Sequence, residues 1–358
     1  MIEPERIKAL NEKSINSNDF VIYWMQQSQR TSYNHALEYA INKANELKKP
    51  LLVYFGITSD FPDANLRHYM FMLQGLSNVK HNLKKRNIQF IIQNKHPVEG
   101  IIHVAKNACL VVVDRGYLRI QKEWRKTVAE NIDCSLIQLE SDVVVPVETA
   151  SDKEEYAAYT LRPKIKKHVS HFLSELPEKK LKIASLDFDF KSLDLSDISH
   201  VLSMLSLDSK VNAVDSFIGG EDEAKKRLSF FLNNHLDSYC EKRSDPSHNV
   251  TSQLSPYLHF GQISPVFIAL EVKKKASSSS DDFLEELIVR RELSMNFVFY
   301  NDSYDSVQCL PHWAFETLTD HRTDTREYEY SLKDFEKAAT HDAYWNAAQK
   351  EMRISGKM

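Results

Sequence analysis

Within the first 150 residues, five short β-rich runs alternate with longer helical stretches, and nothing comparable follows Asp215. The runs are FVIYWM from Phe20, LLVYFGI from Leu51, IQFII from Ile88, CLVVVD from Cys109 and SLIQLE from Ser135. Between them lie Tyr33–Lys48, Leu66–Lys85 and Leu118–Glu130, all of helical composition. Strands that are apolar along their whole length must be covered on both faces, and helical crossovers make them parallel. The fold class expected is α/β, with the parallel sheet over residues 1–150. Ligands of such sheets bind outside the carboxyl ends of the strands, which here carry Met25–Arg30, Gly56–Asp60 and Asp114–Arg119. No Gly-x-Gly-x-x-Gly follows the first run, so a dinucleotide fingerprint is absent.

From Glu148 the pattern changes. The stretch to Lys180 is charged and helical in tendency, and Pro163 is expected to break it or start a new turn. Residues 181–210 are rich in Ser and Asp and read as a connector on the molecular surface. Helices are expected at Glu221–Tyr239, Pro265–Ala276, Asp281–Tyr300, Ser331–Ala339 and Tyr344–Ile354, with Ser264 capping the second of these and Pro265 at its first position. The chain therefore divides into an α/β domain (1–150), a connector (151–214) and an all-helical domain (215–358).

Composition narrows the class further. A hydrophobic fraction of 42% with 27% charged residues suits a globular chain. No apolar run reaches the roughly 18–20 residues that span a bilayer, and the N-terminus has no signal-peptide core. The four cysteines, Cys109, Cys134, Cys240 and Cys309, show neither metal nor redox spacing and read as thiols of a reducing, cytoplasmic compartment. His35, His68, His103 and His259 have no ligand spacing, so no metal is assigned. The net charge of −4 leaves nucleic-acid binding to local clusters. Arg162, Lys164, Lys166, Lys167, Lys179 and Lys180 form one, read either as a solvated helix face or as a phosphate-tracking surface.

Three further blocks carry chemistry. In DPSHNVTSQLSPYLHFGQIS, Thr251, Ser252 and Ser255 set three hydroxyls within five positions, beside Asn249. They suit a phosphate or pyrophosphate, or equally a helix cap packed under Leu254 and Leu258. In FLEELIVRRELSMNFVFY, Glu286, Arg290 and Arg291 stand among apolar neighbours. Glu286 and Arg290 are either an ordinary i,i+4 pair or a carboxyl that keeps a proton beside a reacting group. In THDAYWNAAQKEMRISGKM, Trp345 is either core or a redox relay.

Taken in order, these blocks resemble the class II cyclobutane-pyrimidine-dimer photolyases of the photolyase/cryptochrome superfamily. The matching stretches are VIYWMQQSQR from Val21, NLRHYMFMLQGL from Asn65, ASDKEEYAAYTLRPKI from Ala150, LSPYLHFGQIS from Leu254, EELIVRRELSMNF from Glu285, DHRTDTREYEYSLKDFEKAATHD from Asp320 and YWNAAQKEMRISGKM from Tyr344. LSPYLHFG is widespread in the superfamily, whereas EELIVRRE and WNAAQ point to class II. The resemblance implies a Rossmann-like N-terminal domain and a helical domain that binds FAD and UV-damaged double-stranded DNA. It also implies a lyase reaction, in which reduced flavin excited by light gives an electron to a flipped-out thymine dimer. On that resemblance Tyr239, Thr251, Ser252, Leu254, Ser255, Arg290 and Arg291 contact FAD, with the two arginines beside the cofactor or the lesion. Glu286 hydrogen-bonds the dimer, and Trp345 is the middle member of the tryptophan relay that reduces the flavin.

The resemblance also sets an expectation about the end of the chain. Members of the class continue beyond the SGKM motif with a segment that carries the other relay tryptophans and further FAD contacts. Residues 1–358 alone are expected to leave the FAD cavity without one wall, and to expose apolar helix faces open to self-association or to a complementary chain. A deazaflavin antenna, held in related proteins by the N-terminal domain, would sit at Met25–Arg30 and Gly56–Asp60. The rival readings are a cryptochrome-like photoreceptor and an inactive remnant without cofactor.

Overall fold

The structure is a computed structural model that describes residues 2–357; Met358, the last residue of the YWNAAQKEMRISGKM stretch, lies outside them. All five apolar runs form strands, and a short strand precedes them. In chain order the sheet region comprises β1 (Ile7–Ala9), β2 (Phe20–Trp24), α1 (His35–Leu47), β3 (Leu51–Ile57), α2 (Leu66–Lys85), β4 (Gln89–Asn94), α3 (Pro97–Ala105), β5 (Ala108–Asp114), α4 (Arg119–Asn131) and β6 (Ser135–Leu139). The strands form one sheet in the order β1-β6-β5-β2-β3-β4, parallel except for β1, which runs antiparallel to β6. β1 escapes the sequence reading because IKA is short and mostly exposed, with only Ile7 packing on the core.

Every residue of β2, β3 and β5 is buried, because helices cover both faces. On one face Val21, Val53 and Val112 meet Leu37 and Ile41 of α1 and Leu73 and Leu76 of α2. On the other, Ile22, Leu52 and Val111 meet Ile101 of α3 and Val128 of α4. Burying a side chain of this size contributes about 1.5–3 kcal/mol, so the central strands anchor the domain. α3 approaches so closely that a Cβ at Gly100 would lie 1.6 Å from the Tyr54 hydroxyl oxygen.

The remaining helices are α5 (Val147–Ala150), α6 (Ala158–Phe172), α7 (Ile198–Ser203), α8 (Glu221–Asn234), α9 (Tyr239–Lys242), α10 (Ser255–His259), α11 (Pro265–Lys275), α12 (Ser280–Leu284), α13 (Arg291–Tyr300), α14 (His312–Asp320), α15 (Leu332–Lys337) and α16 (Ala343–Ser355). A π-helical turn over Glu285–Arg290 joins α12 to α13. The helical core brings together Leu161, Ile165, Leu228, Phe231, Val266 and Leu287. By contrast α14, α15 and α16 bury none of their own residues, and Trp313, Phe315, Leu318 and Tyr344 are exposed. Among the described residues no helix is long and apolar enough to cross a membrane.

Three local expectations are corrected. Pro163 lies inside α6 without ending it, because Leu161, Ile165 and Phe172 of that helix are buried on either side of the lost backbone hydrogen bond. The 181–210 segment is more than a surface connector. Leu193 N–H donates to the Ile92 carbonyl and Ser192 Oγ accepts from Ile92 N–H, covering the open edge of β4, while Leu195, Val201 and Leu205 enter the sheet core. Ser264 precedes α11, but its hydroxyl makes no capping hydrogen bond and is buried without a partner among the described residues.

Candidate active site

The strand order reverses at β2 and β5, and the loops leaving these two strands are tied together. Asp114, the last residue of β5, accepts the backbone N–H groups of Gln26 at 2.8 Å, Gln27 at 2.5 Å and Ser28 at 2.7 Å, and the Tyr23 hydroxyl at 3.1 Å. Burial raises the Asp114 carboxyl above its ordinary range, against the pull of those amides. Farther along the loop the fully buried Arg30 donates to Asp142 at 2.7 Å, to the Ser141 carbonyl at 2.8 Å and to the Gly261 carbonyl at 2.9 Å. The loop is thereby fixed to the helical region.

Gly261 shows how close that contact is. Its φ is +63°, and a Cβ would lie 1.9 Å from the Gln27 carbonyl oxygen. A side chain here would be strained by the backbone and would push α10 off the loop. The glycine of the LSPYLHFGQIS stretch is therefore a requirement of the junction between sheet and helices.

Between the two parts lies a cavity of about 750 Å³. Its sheet side is made by the ends of β2 and β3 and by α2 and α4, with Trp24, Phe55, Phe61 and Trp124 supplying aromatic surface. Its helical side includes Leu287, Arg291, Met295 and Val298, which recur at helical spacing along one face. Three buried polar atoms of wall residues have no partner among the described residues: Gln26 Nε2, Gln29 Oε1 and Asp142 Oδ2. Leaving such a group unpaired costs about 1–3 kcal/mol, which makes them atoms prepared to meet a ligand or water. Among the described residues no cluster of His, Cys, Asp or Glu is arranged to hold a metal.

The residues singled out in sequence divide into two groups. Tyr239, Thr251, Ser252, Ser255, Glu286 and Arg291 all line the cavity. Tyr239 packs edge-on against Phe231 and Phe283, and burial raises its hydroxyl pKa. Arg291 donates to the Asp142 carbonyl at 2.6 Å. Leu254, Arg290 and Trp345 are not in the wall. Leu254 is buried in the helical core, Arg290 projects outward, and Trp345 is half-buried edge-on against Phe335 at 5.1 Å.

Glu286 does not pair with Arg290. It forms a 3.0 Å ion pair with Arg243, while Arg290 lies 3.9 Å from Glu285. The π-turn explains the exchange, since i→i+5 bonding places Arg290 over Glu285. In the basic cluster, Arg162 is bound to Glu285 and Lys164 to Glu155, which leaves the exposed Lys166 and Lys167 without an acidic partner among the described residues. The Asp142–Arg30 pairing was missed in sequence, whereas Gln26 and Gln29 fall within the Met25–Arg30 strand end singled out there. The run QQSQR directly after β2 was the available signal.

Comparison with known proteins agrees with this arrangement. The DNA photolyase family model matches residues 21–181. A deoxyribodipyrimidine photo-lyase of Methanothermobacter thermautotrophicus is 50% identical over 359 aligned positions, covering 100% of this chain and 79% of the relative. One from Arabidopsis thaliana is 37% identical, covering 100% of this chain and 75% of the relative. In fold, the chain is similar to a class III photolyase of Agrobacterium tumefaciens, with TM-score 0.73, 20% identity, and coverage of 97% of this chain and 71% of that one. It is also similar to an archaeal photolyase of Sulfolobus tokodaii solved with two FAD molecules, with TM-score 0.70, 16% identity, and coverage of 94% of this chain and 71% of that one. Identity this high along the whole chain, on this architecture, means that the chain belongs to the DNA photolyase family.

Proposed function

We propose that this chain is a class II photolyase that repairs cyclobutane pyrimidine dimers in DNA, using FAD and light. The observation that carries the reading is the cavity, which gathers the hydroxyls of Thr251, Ser252 and Ser255, the ring of Tyr239, and the charges of Glu286 and Arg291 around one space. The relatives from M. thermautotrophicus and Arabidopsis carry the photo-lyase name, and the class II form of the EELIVRRE and WNAAQ stretches supports the narrower assignment.

The residues present fit FAD. A ligand of that size needs a concave, mostly apolar site with a few placed polar groups, and about 750 Å³ lies within the usual range. Thr251, Ser252 and Ser255 would donate to phosphate oxygens, and the Arg291 guanidinium adds positive charge nearby. Tyr239, Leu287 and Leu258 would cover ring surface. When bound, FAD in its reduced form supplies the electron that light delivers to the dimer.

Glu286 faces the cavity with Arg243 at 3.0 Å. A bare carboxylate would oppose negative charge developing on a dimer carbonyl, and the guanidinium beside it offsets that charge. The pair thus orients a carbonyl while keeping the wall near neutral. Lys166 and Lys167 on α6 would hold the DNA backbone. FAD would take the helical side of the cavity and an antenna chromophore its sheet side, by Met25–Arg30 and Gly56–Asp60, where Gln26 and Gln29 have orphan atoms. Trp345 would be a relay residue on the family resemblance alone, since it stands outside the wall and packs against Phe335.

The test is direct. The purified chain is supplied with FAD, reduced, and illuminated with a duplex that carries a single thymine dimer. Loss of the dimer in blue light but not in darkness supports the reading. A chain that binds FAD yet leaves the dimer intact would instead favour a photoreceptor.

A further inference from the structure

A second cavity, of about 320 Å³, is lined by Lys8 of β1, Arg115 just after β5, Lys122, Arg125 and Lys126 of α4, and Phe299 of α13. Glu130 is the one acidic residue of its wall among the described residues. Arg115 is neutralised by Glu140 and Glu148, each at 2.9 Å, and Lys8 shares Glu148 at 3.2 Å. The three α4 cations have no such partner among the described residues. Lys122 donates only to the carbonyls of Val298 at 3.3 Å and Phe299 at 3.0 Å. Arg125, only 5% exposed, donates to the Gly116 carbonyl at 2.7 Å and to Gln26 Oε1 at 3.4 Å.

Positions 122, 125 and 126 share one helix face, where like charges repel. Burial and then the neighbouring Arg115 push the Arg125 guanidinium down to about 10, and burial lowers Lys122 as well, against the pull of Asp302. Asp302 near Lys122 and Asp114 near Arg125 offset part of this charge without forming an ion pair, so the cleft retains an excess of positive charge.

We propose that this cleft binds a phosphate-bearing small molecule, with its phosphoryl oxygens held by Lys122, Arg125 and Lys126. A multiply charged oxyanion matches three converging cations, and a guanidinium fork suits phosphate in particular. The volume exceeds that of one inorganic phosphate and leaves room for a second phosphoryl group or a small organic part. Leu10 and Ala129 give that part apolar contact, the Phe299 ring being taken by Arg115 at 4.5 Å and Lys122 at 5.2 Å. A nucleic-acid backbone is a poorer match, because it tracks across exposed cations and Arg125 is recessed.

The experiment is calorimetric titration of the whole chain with inorganic phosphate and with pyrophosphate. Pyrophosphate should bind saturably and more tightly than phosphate. Lys126→Glu, at an exposed position that leaves the fold intact by circular dichroism, should weaken it roughly tenfold or more. Lys126→Ala should lose less, and Lys333→Glu at an exposed position of α15 should change nothing. Absence of saturable binding by either ligand at millimolar concentration would overturn the proposal, as would unchanged affinity in Lys126→Glu. Displacement of pyrophosphate by undamaged duplex would also overturn it, by making the cleft a DNA-backbone contact.

Discussion

Arg30 and Asp142 form a 2.7 Å ion pair from which solvent is excluded on both sides, and the same guanidinium nitrogen reaches the Gly261 carbonyl at 2.9 Å. The pair joins the loop after β2 to the loop after β6 and to the turn after α10. Three segments distant in sequence are thus held at one edge of the main cavity.

Arg30→Met should therefore be costly. Removing one partner strands a buried Asp142 and releases the Ser141 and Gly261 carbonyls, for a loss of about 3–5 kcal/mol. Urea unfolding measures it. A loss under about 1 kcal/mol would mean that the junction is carried by packing, with Arg30 contributing as a surface pair would.

The sheet was legible because its strands are buried on both faces, which leaves runs such as LLVYFGI and CLVVVD without polar interruption. β1 was not, since an edge strand of IKA needs no apolar pattern to pair. α3 was missed because PVEGIIHVA is short, and its apolar run does not distinguish helix from strand. In the site, six of the nine residues singled out lie in the cavity wall: Thr251, Ser252, Ser255, Glu286 and Arg291 stand out as hydroxyls and charges amid apolar sequence, whereas Tyr239 was named only through the family resemblance. The partner of Glu286 was illegible. Helical spacing named Arg290, whereas a π-turn moved Arg290 to Glu285 and left Glu286 to Arg243, which is distant in sequence.

DNA binding should separate the free lysines from the paired basic residues. Lys166→Glu with Lys167→Glu should weaken binding to damaged and undamaged duplex alike and reduce the salt slope by up to about 2. Arg162→Ala should act mainly through lost contact with Glu285, with little change in slope. Fluorescence anisotropy at several salt concentrations measures both. A double variant that lost affinity only for damaged DNA would contradict a backbone role.

Glu292 predicts a pH dependence of stability. Its buried carboxyl accepts from the backbone N–H groups of Val144 and Val145, yet burial outweighs these donors and raises its pKa to about 8 from an ordinary 4.5. The folded chain then holds this proton more tightly than the unfolded chain. Its stabilising contribution is complete below pH 4.5 and is lost as pH rises toward 8, on the order of a few kcal/mol. His35 works the other way: burial, and then Arg6, keep it well below 6.5, so it lowers stability as pH falls beneath 6.5. The comparison is therefore urea stability of the parent chain against Glu292→Gln across that range. The difference between them should change steadily with pH, and parallel profiles would exclude the proton on Glu292.

The last prediction concerns the cavity wall itself. Glu286 and Arg243 are each about one-third exposed and 3.0 Å apart, so neither is needed to fill the core. As a surface-type pair they should contribute under about 1 kcal/mol to stability. Their effect on repair should be larger. Glu286→Gln removes the negative charge and presents an amide N–H donor toward a dimer carbonyl, so it should retain part of the repair yield. Glu286→Ala removes the contact and should lose more, while FAD content stays the same in both. Arg243→Met leaves the carboxylate uncompensated, and its charge then opposes the developing anion. That variant should therefore fall below Glu286→Gln, and the double variant Arg243→Met with Glu286→Gln should recover toward it. Quantum yield per bound FAD is the measurement that separates chemistry from occupancy. Equal yields for the parent and all of these variants would return Glu286 and Arg243 to an ordinary ion pair on the rim.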